Sequence, residues 1–415
     1  MAMASSPLGL FEGVGIELEY MIVDPTSLAV RPVADELLKS VGGGYDLEVD
    51  LGPVAWSNEL ALHVIEMKCN GPVRSLSGLG PLFQEHVARM TELLRPLSAR
   101  LLPTAMHPWM DPERELRLWP HENDFVYQAF DRIFDCRGHG WANLQSMHIN
   151  LPFGNDDEFG RLHAAMRLIL PLLPALAASS PLVEGKLTGL LDTRVDVYRT
   201  NARRVPSVAG LVIPEAVFTR ADYEQKLLEP MYAALAPHDP DGVLHHEWAN
   251  ARGCIARFER DAIEIRLLDL QEHPRADIAI AALVVGTLKL LVAESLSSYA
   301  TQRSFSAEQL APLLHACIRD ADEALIDDTE LLAALGLPGY AQLTARGIWR
   351  ALAERVSQSE PGFSEWREPL KVILERGCLA RRIREAVEDS PSTERLLAVY
   401  QEIATCLDRG IAFRP

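Results

Sequence analysis

Two glutamates spaced two residues apart, Glu17-Leu18-Glu19, are the first group in the chain suited to chemistry. On a strand, residues i and i+2 share a face, so the two carboxylates stand about 6.5–7 Å apart, with Ile16, Leu18 and Tyr20 opposite. Like charges so placed repel unless water or a cation offsets them. A hard divalent cation takes oxygen ligands of this kind; a solvent-facing sheet surface is the plainer alternative. The run Asn58 to Lys68 adds Glu59 and Glu66. Glu66 interrupts Val64, Ile65 and Met67, so it sits at a wet strand end or beside a cation, because an isolated buried charge is expensive. Glu59 and Glu66 differ in parity and share a site only if Glu59 precedes the strand or a bulge intervenes.

Two further segments follow the same logic. Asn143 to Asn150 places Ser146, His148 and Asn150 on one face, with Met147 and Ile149 opposite. His148 suits a metal or a phosphate, and equally a hydrogen-bonded core histidine. Ala262 to Asp269 places Glu264 and Arg266 together, which fits a site holding both a metal and a phosphate or carboxylate, or a cross-strand ion pair on a wet face. Leu176 to Lys186, then Thr188-Gly189 and Asp192-Thr193-Arg194, forms a small-residue turn and a basic loop. It could hold an anion, though by spacing alone it reads as a plain loop. There is no GxxxxGK[ST], no complete GxGxxG, no HExxH (His245-His246-Glu247 is not one) and no GxSxG.

These residues need strands to carry them. Val14–Val23, Asp46–Leu51, Leu60–Lys68, Arg100–Ala105, Trp141–Leu151, Cys254–Phe258 and Ala262–Leu268 read as strands, the last two as a hairpin. Leu76–Leu97 and Glu158–Ala178 read as helices, the second cut short by Pro171 and Pro174. From Pro274 the pattern turns helical: Asp277–Tyr299, Ala307–Leu325, Tyr340–Val356, Glu365–Glu375 and Thr393–Asp408. Hairpins and long excursions without regular βα alternation favour a mostly antiparallel sheet. The expected fold class is α+β, with a core over 1–302 and a helical C-terminal region, 303–415, packed on it.

Composition bounds the partners. The 415 residues are 48% hydrophobic and 24% charged, with ample material for a core. Asp and Glu outnumber Lys and Arg 58 to 40, a net −18, which argues against nucleic acid and anionic membranes. An anionic small substrate would then need local arginines or a bound cation. The six cysteines show no CxxC, as in a reduced cytoplasmic protein. No Lys or Arg precedes Arg31, so no signal-peptide n-region is expected, and the apolar run Ile278–Leu288 is too short to span a membrane.

Together the segments resemble the glutamate–cysteine ligase family of the GCS2 type, carboxylate–amine ligases. The resemblance is carried by GVGIELEYMIVD at 13–24, NELALHVIEMKCNGP at 58–72, LQSMHINLPFG at 144–154, ALAASSPLVEGKLTG at 175–189 and AIEIRLLDLQEHPRADIAIA at 262–281. It implies a curved, mostly antiparallel sheet of the glutamine synthetase/guanido kinase type, flanked by helices and holding ATP, Mg²⁺ (or Mn²⁺) and an amino acid. Metal ligands are implied at Glu17, Glu19, Glu59, Glu66, His148 and Glu264, catalytic roles at Glu264 and Arg266, and substrate or phosphate contacts at Arg194, Arg266, Gln145 and Asn150. The implied reaction activates glutamate's γ-carboxylate as an acyl phosphate and joins it to an amine such as cysteine, a step of glutathione biosynthesis. Where the family strand has a fuller H-x-H pattern, this chain reads Gln145-Ser146-Met147-His148. A phosphotransferase or ligase with another acceptor, a non-catalytic ATP- or amino-acid-binding member, and a metal hydrolase using His148, His245 or His246 are the alternatives. A homo-oligomer is compatible with all of them.

Overall fold

Alternation of apolar and charged residues builds the first strand, β1 (Gly15–Val23). Ile16, Leu18, Tyr20 and Ile22 are fully buried on one face, and Glu17 and Glu19 lie on the other. The computed structural model describes residues 8–415. Met1–Pro7, the start of the stretch without basic residues, lie outside the described residues.

Seven more strands join β1: β2 (Glu48–Asp50), β3 (Val54–Asn58), β4 (Val64–Cys69), β5 (Arg100–Leu102), β6 (Ser146–Pro152), β7 (Cys254–Arg257) and β8 (Ala262–Asp269). The order is β2-β3-β4-β1-β6-β8-β7, with β5 also paired to β1, and every pairing is antiparallel. The expected α+β class with an antiparallel sheet is what the chain adopts.

The helices that matter for the site are α1 (Leu79–Leu94), α2 (Asp124–Phe134), α3 (Asp156–Ile169), α4 (Thr193–Asn201), α5 (Pro274–Val292), α6 (Ala307–Asp320), α7 (Ala345–Ser359) and α8 (Thr393–Arg409). α3 stops at Ile169, and short turns follow around Pro171 and Pro174, as those prolines require. α5 is apolar nearly all round because it is covered on both sides: α1 and α3 pack on it from the sheet layer, and α7 from outside. No described helix is long and apolar enough to cross a membrane.

One hydrophobic core runs from the apolar sheet face (Leu18, Met67, Ile149, Ile265) through Phe83, Phe159 and Leu283 to Trp349 of α7. The Trp349 indole N–H donates to the Leu172 carbonyl at 2.8 Å, tying the C-terminal helices to the core. α8 packs on α1 and β5. The back of the sheet is thus closed by helices, and its polar face is left to line a cleft.

Three sequence readings change. Leu60–Lys68 is not one strand: residues 59–63 form a turn, and Val54–Asn58, not foreseen, is the strand before it. Trp141 belongs to a helical turn, His139–Ala142, so β6 starts only at Ser146. Asp192-Thr193-Arg194, read as part of a loop, opens helix α4 (Thr193–Asn201), capped by the Asp192 side chain accepting from the Val195 N–H.

Candidate active site

Strand register builds the site in three cross-strand rows. In one, Glu17 of β1 stands opposite Lys68 of β4 on one side and His148 of β6 on the other. In the next, Glu19 stands opposite Glu66 of β4, which stands opposite Ser57 of β3, which stands opposite Glu48 of β2. Glu264 of β8 stands opposite Asn150, and Asn150 opposite Gly15. A Cβ on Gly15 would lie 3.1 Å from Asn150 Cβ, so the glycine leaves room for that side chain.

A bulge re-aims the last strand. Ile265 pairs with Ile149 and Leu268 with Met147, so Arg266 and Leu267 together oppose His148 alone. The extra residue puts Asp269, opposite Ser146, on the polar face along with Glu264.

Glu17, Glu19, Glu59, Glu66, His148 and Glu264 all line one cleft of about 350 Å³, with Arg194 and Arg266. Glu59 reaches it because it precedes β4 on the turn, one of the two solutions its parity allowed. A second cavity of about 440 Å³ adjoins, sharing Glu17, Lys68 and Arg260 and lined also by Gly15, Asn70, Gly71, Pro72 and Asn150. Asn150 therefore faces the neighbouring cavity and donates to Glu17 Oε1 at 3.0 Å. Gln145 faces neither: it is fully buried, with no partner for its side-chain amide, because it precedes the strand face that carries Ser146 and His148. His245 packs at a tilt against Tyr232, His246 stacks on Trp248, and neither is among the cleft residues.

The electrostatics divide the cleft. On one side the charges are matched. His148 Nδ1 lies 3.0 Å from Glu17 Oε2 and 3.8 Å from Glu264 Oε1. Arg266 Nε and Arg257 Nη1 contact the two Glu264 oxygens at 2.6 and 3.0 Å. Burial alone would raise the Glu264 carboxyl, but Arg266, His148 and Arg257 outweigh it and hold it at about 2. Burial opposes a charge on His148, yet its bond to Glu17 and the charges of Glu19 and Glu264 lift it to about 9.

On the other side negative charge is in excess. Glu66 accepts from Ser57 Oγ at 2.7 Å and from Lys68 at 2.9 Å. Even so, burial and then Glu17 raise it to about 7. Burial, Glu19 and Glu66 push Glu59 well above the usual carboxylate range. Glu19 is held by Ser146, whose backbone N–H and hydroxyl donate to it at 2.6 and 2.9 Å.

This donor set fits a hard cation. One ligand atom each from Glu17, Glu66 and His148 lie within 4.8 Å of one another, and so do atoms from Glu19, Glu59 and Glu66. Most donors are carboxylate oxygens, as Mg²⁺ or Mn²⁺ requires, and Glu66 is common to both groups.

Arg194 reaches the cleft through an anchored network. Its Nε donates to Asp269 and its Nη2 to the Arg266 carbonyl at 3.1 Å. Asp269 also accepts from the Ser179 N–H and the Ser180 hydroxyl, each at 2.8 Å. The small-residue turn, considered above as a ligand anion site, thus holds a carboxylate of the chain itself. Lys68, Arg257 and Asp269 were not foreseen as site residues. For Lys68 and Arg257 the signal was present, since Lys68 shares parity with Glu66 and Arg257 sits across the hairpin beside Glu264.

The fold and cleft define a class: an α+β protein whose antiparallel sheet presents clustered carboxylates, one histidine and four arginines to a single cavity. Within that class, the chain belongs to glutamate–cysteine ligase family 2, whose model matches residues 13–402. It is similar to an uncharacterized protein of Archaeoglobus fulgidus, 31% identical, covering 96% of this chain and 99% of that one. It is also similar to a Rubrobacter xylanophilus protein provisionally named glutamate–cysteine ligase 2-1, 27% identical, covering 91% of this chain and 90% of that one. In fold it resembles the glutamate–cysteine ligase of Francisella tularensis, solved in complex with AMP: TM-score 0.60, 12% identity, 96% of this chain and 89% of that one. Family and fold place the chain among carboxylate–amine ligases.

Proposed function

We propose that the protein is an ATP- and Mg²⁺-dependent ligase that activates a carboxylate, glutamate's γ-carboxylate by the family description, and joins it to an amine, on a sheet of the glutamine synthetase type. The observation that carries this is the convergence of Glu17, Glu19, Glu59, Glu66, His148 and Glu264 on one cleft with Arg194 and Arg266. The AMP bound to the Francisella ligase supports a nucleotide in a cleft of this fold. The six free, buried cysteines suit a cytoplasmic enzyme.

Glu17, Glu66 and His148, and Glu19, Glu59 and Glu66, would hold Mg²⁺, which supplies charge neutralisation for the ATP phosphates. The cavity along Gly15, Asn70–Pro72 and Asn150 takes the nucleoside end. Arg194, fixed by Asp269, binds the donor substrate. The donor carboxylate attacks the γ-phosphorus, the bond to the β-phosphate oxygen breaks, and ADP leaves. Arg266, oriented by Glu264, stabilises charge on the transferred phosphoryl group. An amine then attacks the acyl phosphate, a C–N bond forms and phosphate departs. No side chain needs to act as a nucleophile; the chain positions and neutralises.

The test is ADP release from Mg²⁺-ATP and glutamate with a panel of amines including cysteine, and with hydroxylamine to trap the activated acyl group. Amine- and glutamate-dependent ADP release is expected. Amide or hydroxamate formation without ATP, or none under any condition, would overturn the proposal.

A further inference from the structure

One wall of the cleft carries none of the residues assigned to the proposed phosphoryl chemistry. Leu60, Phe130, Trp141, Leu144 and Trp248 line it, and each is half-buried. They come from the turn before β4, from α2, from the His139–Ala142 turn and the loop after it, and from the loop before β7. The rings are held together. Phe130 lies 5.0 Å from Trp141 and 5.8 Å from Trp248, centroid to centroid. The Trp141 indole N–H donates to the Asn201 carbonyl at 3.2 Å, which fixes the ring and leaves its faces apolar. Clustered aromatic surface turned into a cleft is surface suited to an apolar ligand group.

The charges of the same cleft are a second, independent observation. Lys68 pairs with Glu48 and Glu66, Arg257 with Glu259 and Glu264, and Arg266 with Glu264. Arg194 is buried against Asp269. Arg260 is exposed and in no ion pair among the described residues, and it lies where the cleft meets the adjoining cavity, the nucleotide end of the proposed site. The wall itself contributes no Lys or Arg. An amino-acid acceptor such as cysteine brings an α-carboxylate, and burying that charge against the apolar wall, which itself offers no cation, is costly.

We infer that the acceptor is a primary amine bearing a flat apolar or aromatic group and no carboxylate, its ring packed against Phe130, Trp141 and Trp248. This rests on the ligase reading and narrows its substrate class. The balance is that of amide formation: the amine nitrogen bonds to the acyl carbon, the C–O bond to the phosphoryl group breaks, phosphate leaves, and the nitrogen gives up one proton.

The experiment compares ADP release from Mg²⁺-ATP and glutamate with phenethylamine, phenylalanine, ethylamine, cysteine and hydroxylamine. Phenethylamine is expected to exceed both phenylalanine, which differs by the carboxylate, and ethylamine, which differs by the ring, by about tenfold or more in kcat/KM. Trp248→Ala is expected to raise the KM for phenethylamine and to lower its kcat/KM relative to hydroxylamine by about tenfold, with Trp248→Phe recovering most of the loss. Preference for cysteine or phenylalanine, or equal loss with both nucleophiles in Trp248→Ala, overturns the inference and leaves the ligase reading standing. Absence of ADP release with every nucleophile, hydroxylamine included, overturns the ligase reading and the inference with it.

Discussion

Glu19 and Glu66 face each other directly across the β1–β4 pairing, both nearly buried, with Ser57 and Lys68 on Glu66 and Ser146 on Glu19. Directly opposed like charges destabilise a sheet. The proposed metal site would give this pair a cation to meet.

That relationship predicts proton release on metal binding. Glu66 is raised to about 7 by burial and Glu17, so near neutral pH it is partly protonated, and a metal takes only the carboxylate. Calorimetric titration of Mg²⁺ at pH 6.5 in buffers of different ionisation enthalpy should show protons released, fewer at pH 8.5. Glu66→Gln should reduce the release, leaving the part that comes from Glu59 and His148, and abolish the rise in Tm with Mg²⁺. For the wild type that rise corresponds to about 2.7 kcal/mol at a hundredfold excess over Kd.

The bulge in β8 gives a second prediction. The Arg266 N–H donates to the Gly253 carbonyl at 2.9 Å, and a Cβ on Gly253 would come within 2.5 Å of Leu267 in the bulge. Gly253→Ala should therefore shift the segment that aims Arg266 and lower kcat by about tenfold or more, at a stability cost of about 1–3 kcal/mol. Steady-state rates and urea unfolding measure both. An unchanged kcat would show that the bulge does not set the arginine.

Asp269 is placed to position Arg194. Asp269→Asn keeps the shape, removes the charge and leaves a buried guanidinium short of its partner, which costs about 3–5 kcal/mol. The donor-substrate KM should rise more than the KM for ATP. Equal effects on both would count against a role for Arg194 at the donor.

Buried neutral histidines set the acid limit. Burial holds His163 and His63 at about 3 and His107 at about 4, against 6.5 in the unfolded chain. His163 is stacked on Phe159 and donates from Nδ1 to the Val217 carbonyl. Their folded values are depressed, so below pH 6.5 the unfolded state binds protons that the folded state does not. Stability is full above that value and falls toward pH 4, by up to about 1.4 kcal/mol per pH unit for each histidine. Urea unfolding at pH 7.5, 6 and 5 should show the decline, and His163→Phe should reduce its slope.

The shared face of Glu17 and Glu19 was legible because strand parity is local, and so was the Glu264–Arg266 face. The partners were not, since register between β1, β4 and β6 depends on packing distant in sequence. Glu59 illustrates the limit. Its parity left two answers, and the turn at 59–63 decided between them once Val54–Asn58 proved to be a strand. That strand was missed because all five residues are buried, which leaves no alternation to read. α4 was missed because its polar and charged residues show little one-sided pattern, although Arg194, Val195 and Tyr198 are buried. Gln145 was placed with the site residues, but the helical turn at Trp141 delays the strand and leaves it buried away from the cleft.

In the proposed reaction a carboxylate is activated by phosphoryl transfer in the cleft formed by Glu17, Glu19, Glu59, Glu66, His148 and Glu264. Glutamate labelled with ¹⁸O in its γ-carboxylate, turned over with Mg²⁺-ATP and an accepted amine, tests it most directly by mass analysis of the released phosphate. One ¹⁸O per phosphate is predicted, with turnover lost in Glu264→Gln. Unlabelled phosphate, or full Mg²⁺-dependent activity in Glu264→Gln, would rule out an acyl phosphate formed in this cleft.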